Sequence, residues 1–252
     1  MPKTTSKRWE IAQDSEKEYW EGFTKENLLK EEAERHKQKA KALEKEWKKY
    51  ITLNKNSKIL QVGCGPEDVI NYLSSGKKYA IDPLAEFYKK KFDLNYDSIF
   101  FIEGRAESLP FEDNCFDVVI LANVLDHVEQ PEKALSEIRR VLKKNGLFHF
   151  ENLFYQKNFI ILSKIYGIAK KIATGEIFNV HHPFMFLLDD LRNLIYRDFS
   201  IIHEETGIEI GSSESFEEIK RKKKKDKKLT VKIPAMFGLY GIINYTAECR
   251  KR

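Results

Sequence analysis

Lys58-Ile-Leu-Gln-Val-Gly-Cys-Gly-Pro-Glu-Asp-Val-Ile-Asn-Tyr-Leu73 is the stretch from which the fold can be read. Its apolar run (Ile59, Leu60, Val62) predicts a buried strand that stops at Gly63-Cys64-Gly65-Pro66. Val69, Ile70 and Leu73 then follow helical spacing, and Pro66 suits a first helical position. A strand that breaks at glycines and re-enters as a helix leaves backbone N–H groups directed at whatever binds there. Gly63 and Gly65 allow positive φ and a close approach of ligand to backbone. A dinucleotide fingerprint would need glycine at position 68, where Asp68 stands, and no Gly-Lys-Ser/Thr follows for a P-loop. Glu67 and Asp68 suit a helix dipole but would repel a pyrophosphate on the same terminus. The turn therefore predicts a nucleoside ligand without phosphates.

Working outward, strands and helices alternate. Strands are expected at Lys77–Ile81, Ser98–Ile102, Phe116–Leu121 and Leu147–Asn152. Helices are expected at Leu84–Phe92 and from Pro131 to Leu142, with Ala134, Leu135, Ile138, Val141 and Leu142 inward and Asn145-Gly146 as the stop. This order predicts an α/β fold, a Rossmann-like doubly wound and mostly parallel sheet. Two later strands, Ser200–Glu204 and Gly241–Cys249, close it, the last one antiparallel. At 252 residues, one large domain with decorations fits better than two full domains.

Residues 1–50 are expected to form a helical extension, with Ala33, Ala40, Leu43, Trp47 and Tyr50 as a narrow apolar stripe that docks on the main domain. The same extension is a candidate cap, with Trp9, Tyr19, Trp20 and Phe23 as its wall. The α/β domain then spans 51–252. Within it, residues 153–196 read as a lid-like segment in which Phe159, Leu162, Tyr166, Ala169 and Ile172 share a helix face widened by Ile160, Ile161 and Ile168. Lys157, Lys164, Lys170 and Lys171 stand nearby. Packing or a lid is the favoured reading, and a basic amphipathic surface touching a membrane is the alternative. A helix at Leu187–Ile195 follows His181-His182-Pro183.

Charge is concentrated in one place. Lys220 to Lys228 holds eight basic residues and one Asp, a local +7 against +5 for the whole chain, so the remainder is slightly acidic. That asymmetry argues against nucleic acid as the partner and predicts a basic insertion at 211–232. Three cysteines, Cys64, Cys115 and Cys249, without a C-x-x-C spacing, fit a reducing cytosol and predict neither a disulfide framework nor a metal site. No apolar run approaches the ~18–20 residues of a membrane span, and Met1-Pro-Lys-Thr-Thr-Ser-Lys-Arg8 lacks the apolar core of a signal peptide.

Asp82 stands 19 residues after Gly63, at the carboxyl end of the next strand. In an open parallel sheet that end faces the ligand crevice, and a carboxylate there can accept from both hydroxyls of a ribose.

Taken together the chain resembles the class I S-adenosylmethionine-dependent methyltransferases from Lys58 to about Ile202, with a closing strand near Cys249. The resemblance rests on Ile59-Leu-Gln-Val-Gly-Cys-Gly-Pro66, Ala80-Ile-Asp82, Glu103-Gly-Arg-Ala-Glu-Ser-Leu-Pro-Phe111 with Phe116-Asp117, and Asn123-Val-Leu-Asp-His127 through Val141-Leu-Lys-Lys-Asn-Gly146. The wording is similar to the small-molecule and quinone-biosynthesis group. It implies S-adenosylmethionine as cofactor, with Gly63 and Gly65 at its methionine part and Asp82 on its ribose. The Ala106 N–H would face the adenine edge with Glu107 nearby, and Asn123 would line the methionine end. Gln61 stands where the family usually has Asp or Glu, Glu67 replaces its third glycine, and Arg105 stands where an Asp usually meets adenine. The Gln61 amide oxygen can still accept from the cofactor ammonium. The implied acceptor is a small or lipid-like molecule, and His127, His181 and His182 are candidate bases. An RNA methyltransferase or RNA-binding protein using Lys220 to Lys228, and a non-catalytic S-adenosylmethionine-binding protein, are the competing readings.

Overall fold

A computed structural model describes residues 5–93, 98–175, 177, 182–207 and 243–252, the side chains of residues 30 and 31 excepted. His181, the lysine run and the insertion 211–232 lie outside the described residues. Seven strands form one sheet: β1 (Lys58–Val62), β2 (Lys77–Asp82), β3 (Ile99–Glu103), β4 (Phe116–Ala122), β5 (Leu142–Phe154), β6 (Phe199–Gly207) and β7 (Ile243–Lys251). Their order is β3-β2-β1-β4-β5-β7-β6. The first five run parallel, and β7 is antiparallel to both β5 and β6. Among the described residues six α-helices surround it: α1 (Ser6–Glu21), α2 (Lys25–Trp47), α3 (Ala85–Phe92), α4 (Pro131–Val141), α5 (Lys157–Thr174) and α6 (Leu188–Asp198). The expected Rossmann-like sheet, helical extension and antiparallel closing strand are all present.

Strand alternation divides the core between two faces. Leu60, Val62, Val119 and Leu121 point to the side of α4 and α6. Ile59, Val118 and Ile120 point to the side of α2 and α3. The sheet is thus buried on both faces, as parallel sheets require.

One expectation fails at the opening stretch. The glycine turn leads only to a 3-10 turn, Val69–Asn71, not to a helix. Asp68 Oδ1 accepts from the Val69 N–H at 2.6 Å, Asn71 Oδ1 accepts from the Asp68 N–H at 3.2 Å, and Gly76 at φ +88° redirects the chain into β2. These local polar bonds compete with helix propagation. Helix α2 fills the space instead: Leu28, Ala40, Leu43 and Trp47 are buried against Ile59, Val69, Ile70 and Leu73. Trp47 Nε1 donates to Glu248 Oε1 of β7 at 3.2 Å. The extension is therefore a layer of the core.

Two smaller differences follow. Helix α4 ends at Val141 because Leu142 already pairs with Phe116, so Asn145-Gly146 lies inside β5. The shared face of α5 is largely uncovered: Leu162, Tyr166, Ala169 and Ile172 are exposed, Phe159 is half-buried and only Ser163 of the helix is buried.

Candidate cofactor site and its neighbouring cavity

The order of strands reverses between β1 and β4, and a cavity of about 340 Å³ opens there at the carboxyl ends of β1, β2 and β4. Its floor is the turn from Val62 to Asp68. Gly63 (φ +67°) donates its N–H to Ile81 O at 2.7 Å, and a Cβ there would come within 2.4 Å of Val124 Cγ2. Gly65 (φ +57°) is the reverse case, because a Cβ would meet nothing within 4 Å. Its backbone abuts open cavity, a cradle in which a ligand can approach closely.

Asp82 lines the same cavity while remaining 7% exposed. Oδ2 accepts from the Gly65 N–H and Oδ1 from the Leu84 N–H, each at 2.9 Å. Burial pushes its pKa up to about 6 despite those two bonds, and Glu16 of α1 adds to the rise. Each oxygen keeps a lone pair for a ligand. The cap role and the ligand role thus coexist at one carboxylate.

Asn123 ends β4 in the left-handed region at φ +55° and lines the cavity. Its N–H donates to Glu151 O at 2.8 Å, and Lys39 of α2 sits 2.8 Å from Glu151 Oε2. Burial raises the Glu151 pKa, but Lys39 and His149 outweigh burial and hold it well below the usual carboxylate range. Ala106 and Glu107 form another wall. Glu107 Oε1 accepts from the N–H groups of Glu129 and Gln130 at 2.7 and 3.2 Å, which fixes the turn into α4. Helix α1 supplies Trp9, Gln13, Glu16, Tyr19 and Trp20. Phe23 stands beside Tyr19 and Trp20, with ring centroids 5.2 Å apart, and packs against the core without lining the cavity.

Gln61 corrects the sequence reading. It is fully buried, on the α2 side of β1, and it is not part of the cavity wall. Its Oε1 accepts from the Ile70 N–H at 3.1 Å and its Nε2 donates to Asp68 Oδ2 at 2.5 Å. Strand alternation puts position 61 with Ile59, away from the α4 side. Glu67 does line the cavity, where its carboxylate is engaged by His36 Nδ1 of α2, 2.5 Å away. Arg105 is held by Glu129 at 2.7 Å, with its guanidinium 3.8 Å from the Trp9 ring centroid. Ser6 Oγ also donates to Glu129, at 2.8 Å. Arg105 thus clasps α1 onto the body.

A second cavity of about 980 Å³ lies alongside, walled by α5, α6, the start of α4 and the segment from His182 to Leu187. Ile160, Ile168, Phe184, Phe186 and Leu194 make much of it apolar. The two cavities meet at a pair of imidazoles. His127 lines the smaller one, His182 the larger one, and their ring centroids are 4.5 Å apart. Asp126, 1% exposed, accepts at Oδ2 from His182 Nδ1 at 2.7 Å. Burial by itself would lower the His182 pKa, but the Asp126 carboxylate holds it above the ordinary value. Oδ1 of Asp126 is buried without a hydrogen-bond partner. Asp126, His127 and His182 offer ligand-type atoms within 4.8 Å of one another. The sequence reading, which saw no metal-ligand spacing, missed this trio because His182 comes 56 positions after Asp126.

Residues 60–150 match the family model described as a methyltransferase domain. The ubiquinone/menaquinone biosynthesis C-methyltransferase UbiE of Brucella canis is 33% identical over 129 residues, 48% of this chain and 46% of that one. Residues 60–150 are thus similar to the class I S-adenosylmethionine-dependent methyltransferases. It spans about half the length of the curated relatives it matches. Solved structures share the domain's fold. The MccD protein has a TM-score of 0.52 at 20% identity, covering 82% of this chain and 95% of that one. Geranyl diphosphate C-methyltransferase from Streptomyces coelicolor A3(2), in complex with Mg²⁺, geranyl diphosphate and S-adenosyl-L-homocysteine, has a TM-score of 0.56 at 10% identity. That alignment covers 85% and 79% of the two chains. The open cradle at Gly65 and the buried Asp82 carboxylate stand together in one cavity wall.

Proposed function

We propose that the protein transfers the methyl group of S-adenosylmethionine to a small apolar or lipid-like acceptor held in the larger cavity. The observation that carries this reading is the shared wall, where His127 faces the cofactor side and His182 the acceptor side. When bound, the cofactor supplies a methyl already activated as a sulfonium, so the chain's task is positioning and proton removal. Gly63 and Gly65 would hold the methionine part against backbone, and Asp82 would accept from the ribose hydroxyls. Asn123, fixed by Glu151, would border the methionine end, and Ala106 with Glu107 the adenine side. His182 would take the acceptor's proton at Nε2, with Asp126 orienting the ring through Nδ1 and stabilising the imidazolium. The apolar lining supports an acceptor with a hydrocarbon body.

Calorimetry with S-adenosylmethionine tests the cofactor assignment, and its failure on folded protein overturns it. Incubation of labelled cofactor with cell extracts, compared between the native protein and His182→Gln, then tests the transfer. A second reading, cofactor binding without turnover, draws support from the engagement of Gln61 by Asp68 and Ile70. Tight binding with no labelled product from any extract would favour it.

A further inference from the structure

Helix α5 presents an apolar surface to solvent. Ile161, Leu162, Ile165, Tyr166, Ile168 and Ile172 stand 47–82% exposed, and of the helix's 18 residues only Ser163 is buried. Ile161, Ile165, Ile168 and Ile172 follow steps of three and four and so form one stripe. Lys157, Lys164 and Lys171 recur every seven residues, two helical turns apart, and border that stripe on one side. The helix contains no Asp or Glu. Lys164, Ile168 and Lys171 also stand in the wall of the larger cavity, so the stripe and its cationic border run along the cavity's edge.

The occupant of this surface follows from its charge. A second copy of α5 would set lysine rows against each other, which costs free energy. No described helix is long and apolar enough to cross a membrane. An apolar stripe edged by lysines and free of acids matches a helix lying in the interface of a bilayer with anionic headgroups. We propose that α5 docks the protein on an anionic lipid surface, apolar stripe inward, and that the acceptor enters the larger cavity from that surface. The entry route rests on the larger cavity being the acceptor site; the docking does not.

Co-sedimentation with phosphatidylcholine vesicles, with and without phosphatidylglycerol, tests the docking. Binding is expected only with the anionic lipid and should weaken at high salt. The variant Ile161→Asp/Ile165→Asp/Ile172→Asp changes residues outside both cavities and should lose vesicle binding while keeping native cofactor affinity by calorimetry. Lys157→Gln should weaken it about fivefold, the effect of one surface lysine at roughly 1 kcal/mol. Native protein that ignores anionic vesicles, or a triple variant that binds them as well as native, overturns the proposal. A native dimer that dissociates on the triple substitution, without vesicle binding, assigns the face to a second copy and overturns it too. Since cofactor affinity is read separately, a failed methyltransferase assignment remains distinguishable from failed docking.

Discussion

Nδ1 of His182 lies 2.7 Å from Oδ2 of Asp126, joining the segment before α6 to the loop after β4 across 56 residues. The bond puts a charged carboxylate behind an imidazole that faces the larger cavity, an arrangement suited to proton removal.

As a base, His182 must be neutral, and Asp126 holds its pKa above 6.5. Activity should therefore fall as pH drops, through a midpoint above 6.5. Asp126→Asn should move that limb to lower pH, and His182→Gln should reduce kcat about 10²–10⁴-fold. A kcat profile that keeps its acid limb in Asp126→Asn would reject the assignment. If dialysis against a chelator abolishes turnover and one divalent cation restores it, the trio with His127 is a metal site instead.

Asp82 accepts ribose hydroxyls best when ionised, and its pKa is pushed up to about 6 by burial. Cofactor affinity should weaken as pH falls through about 6. The unliganded fold has the opposite dependence: a carboxyl raised from 3.8 makes the folded chain bind protons more tightly than the unfolded one, so stability rises as pH falls through about 6. Asp82→Asn should lose about 1.5–3 kcal/mol of cofactor binding and flatten both profiles, measured by calorimetry and urea unfolding.

The two glycines of the turn should separate folding from binding. Gly63→Ala combines positive φ with a 2.4 Å approach to Val124 Cγ2, so it should lower stability by more than the ~1–2 kcal/mol of the left-handed conformation alone. Gly65→Ala meets no neighbour within 4 Å, so its stability cost should stay near that ~1–2 kcal/mol while cofactor binding falls at least tenfold. Thermal unfolding and calorimetry on the pair provide the comparison. Equal effects on both properties would contradict it.

His149 is fully buried, and Glu248 and Glu151 outweigh burial to raise its pKa to about 9. A histidine raised from 6.5 stabilises the fold fully below that pH and loses the contribution as pH rises through about 9. The urea midpoint should fall across that window. His149→Gln should flatten the slope and cost about 3–5 kcal/mol at neutral pH by leaving the buried Glu248 carboxylate without its cation.

How legible was this in the sequence? The alternation of short apolar runs with helical segments and the glycine turn predicted the parallel sheet, because element order and positive φ leave residue-level marks. Gly63, Gly65, Asp82, Ala106, Glu107 and Asn123 all line one cavity. Gln61 shows the limit: its position in the motif was right, but its face follows from which neighbours cover the strand. The missing helix after Pro66 failed for a related reason, since helical spacing at Val69, Ile70 and Leu73 is also what a 3-10 turn under α2 requires. The link from Asp126 to His182, and the clasp from Arg105 to Trp9, pair residues far apart in the chain and leave no periodic trace.

Trp47 reaches Glu248 across 201 residues, and through that contact α2 leans on β7. Such a pairing cannot form early, because the loop it closes is very long and local contacts come first. The strands and the glycine turn can assemble among themselves, while the wall made by α1 and α2 is fully supported only once β7 enters the sheet. Competence to hold a ligand should therefore appear late in refolding, after most of the secondary structure is in place.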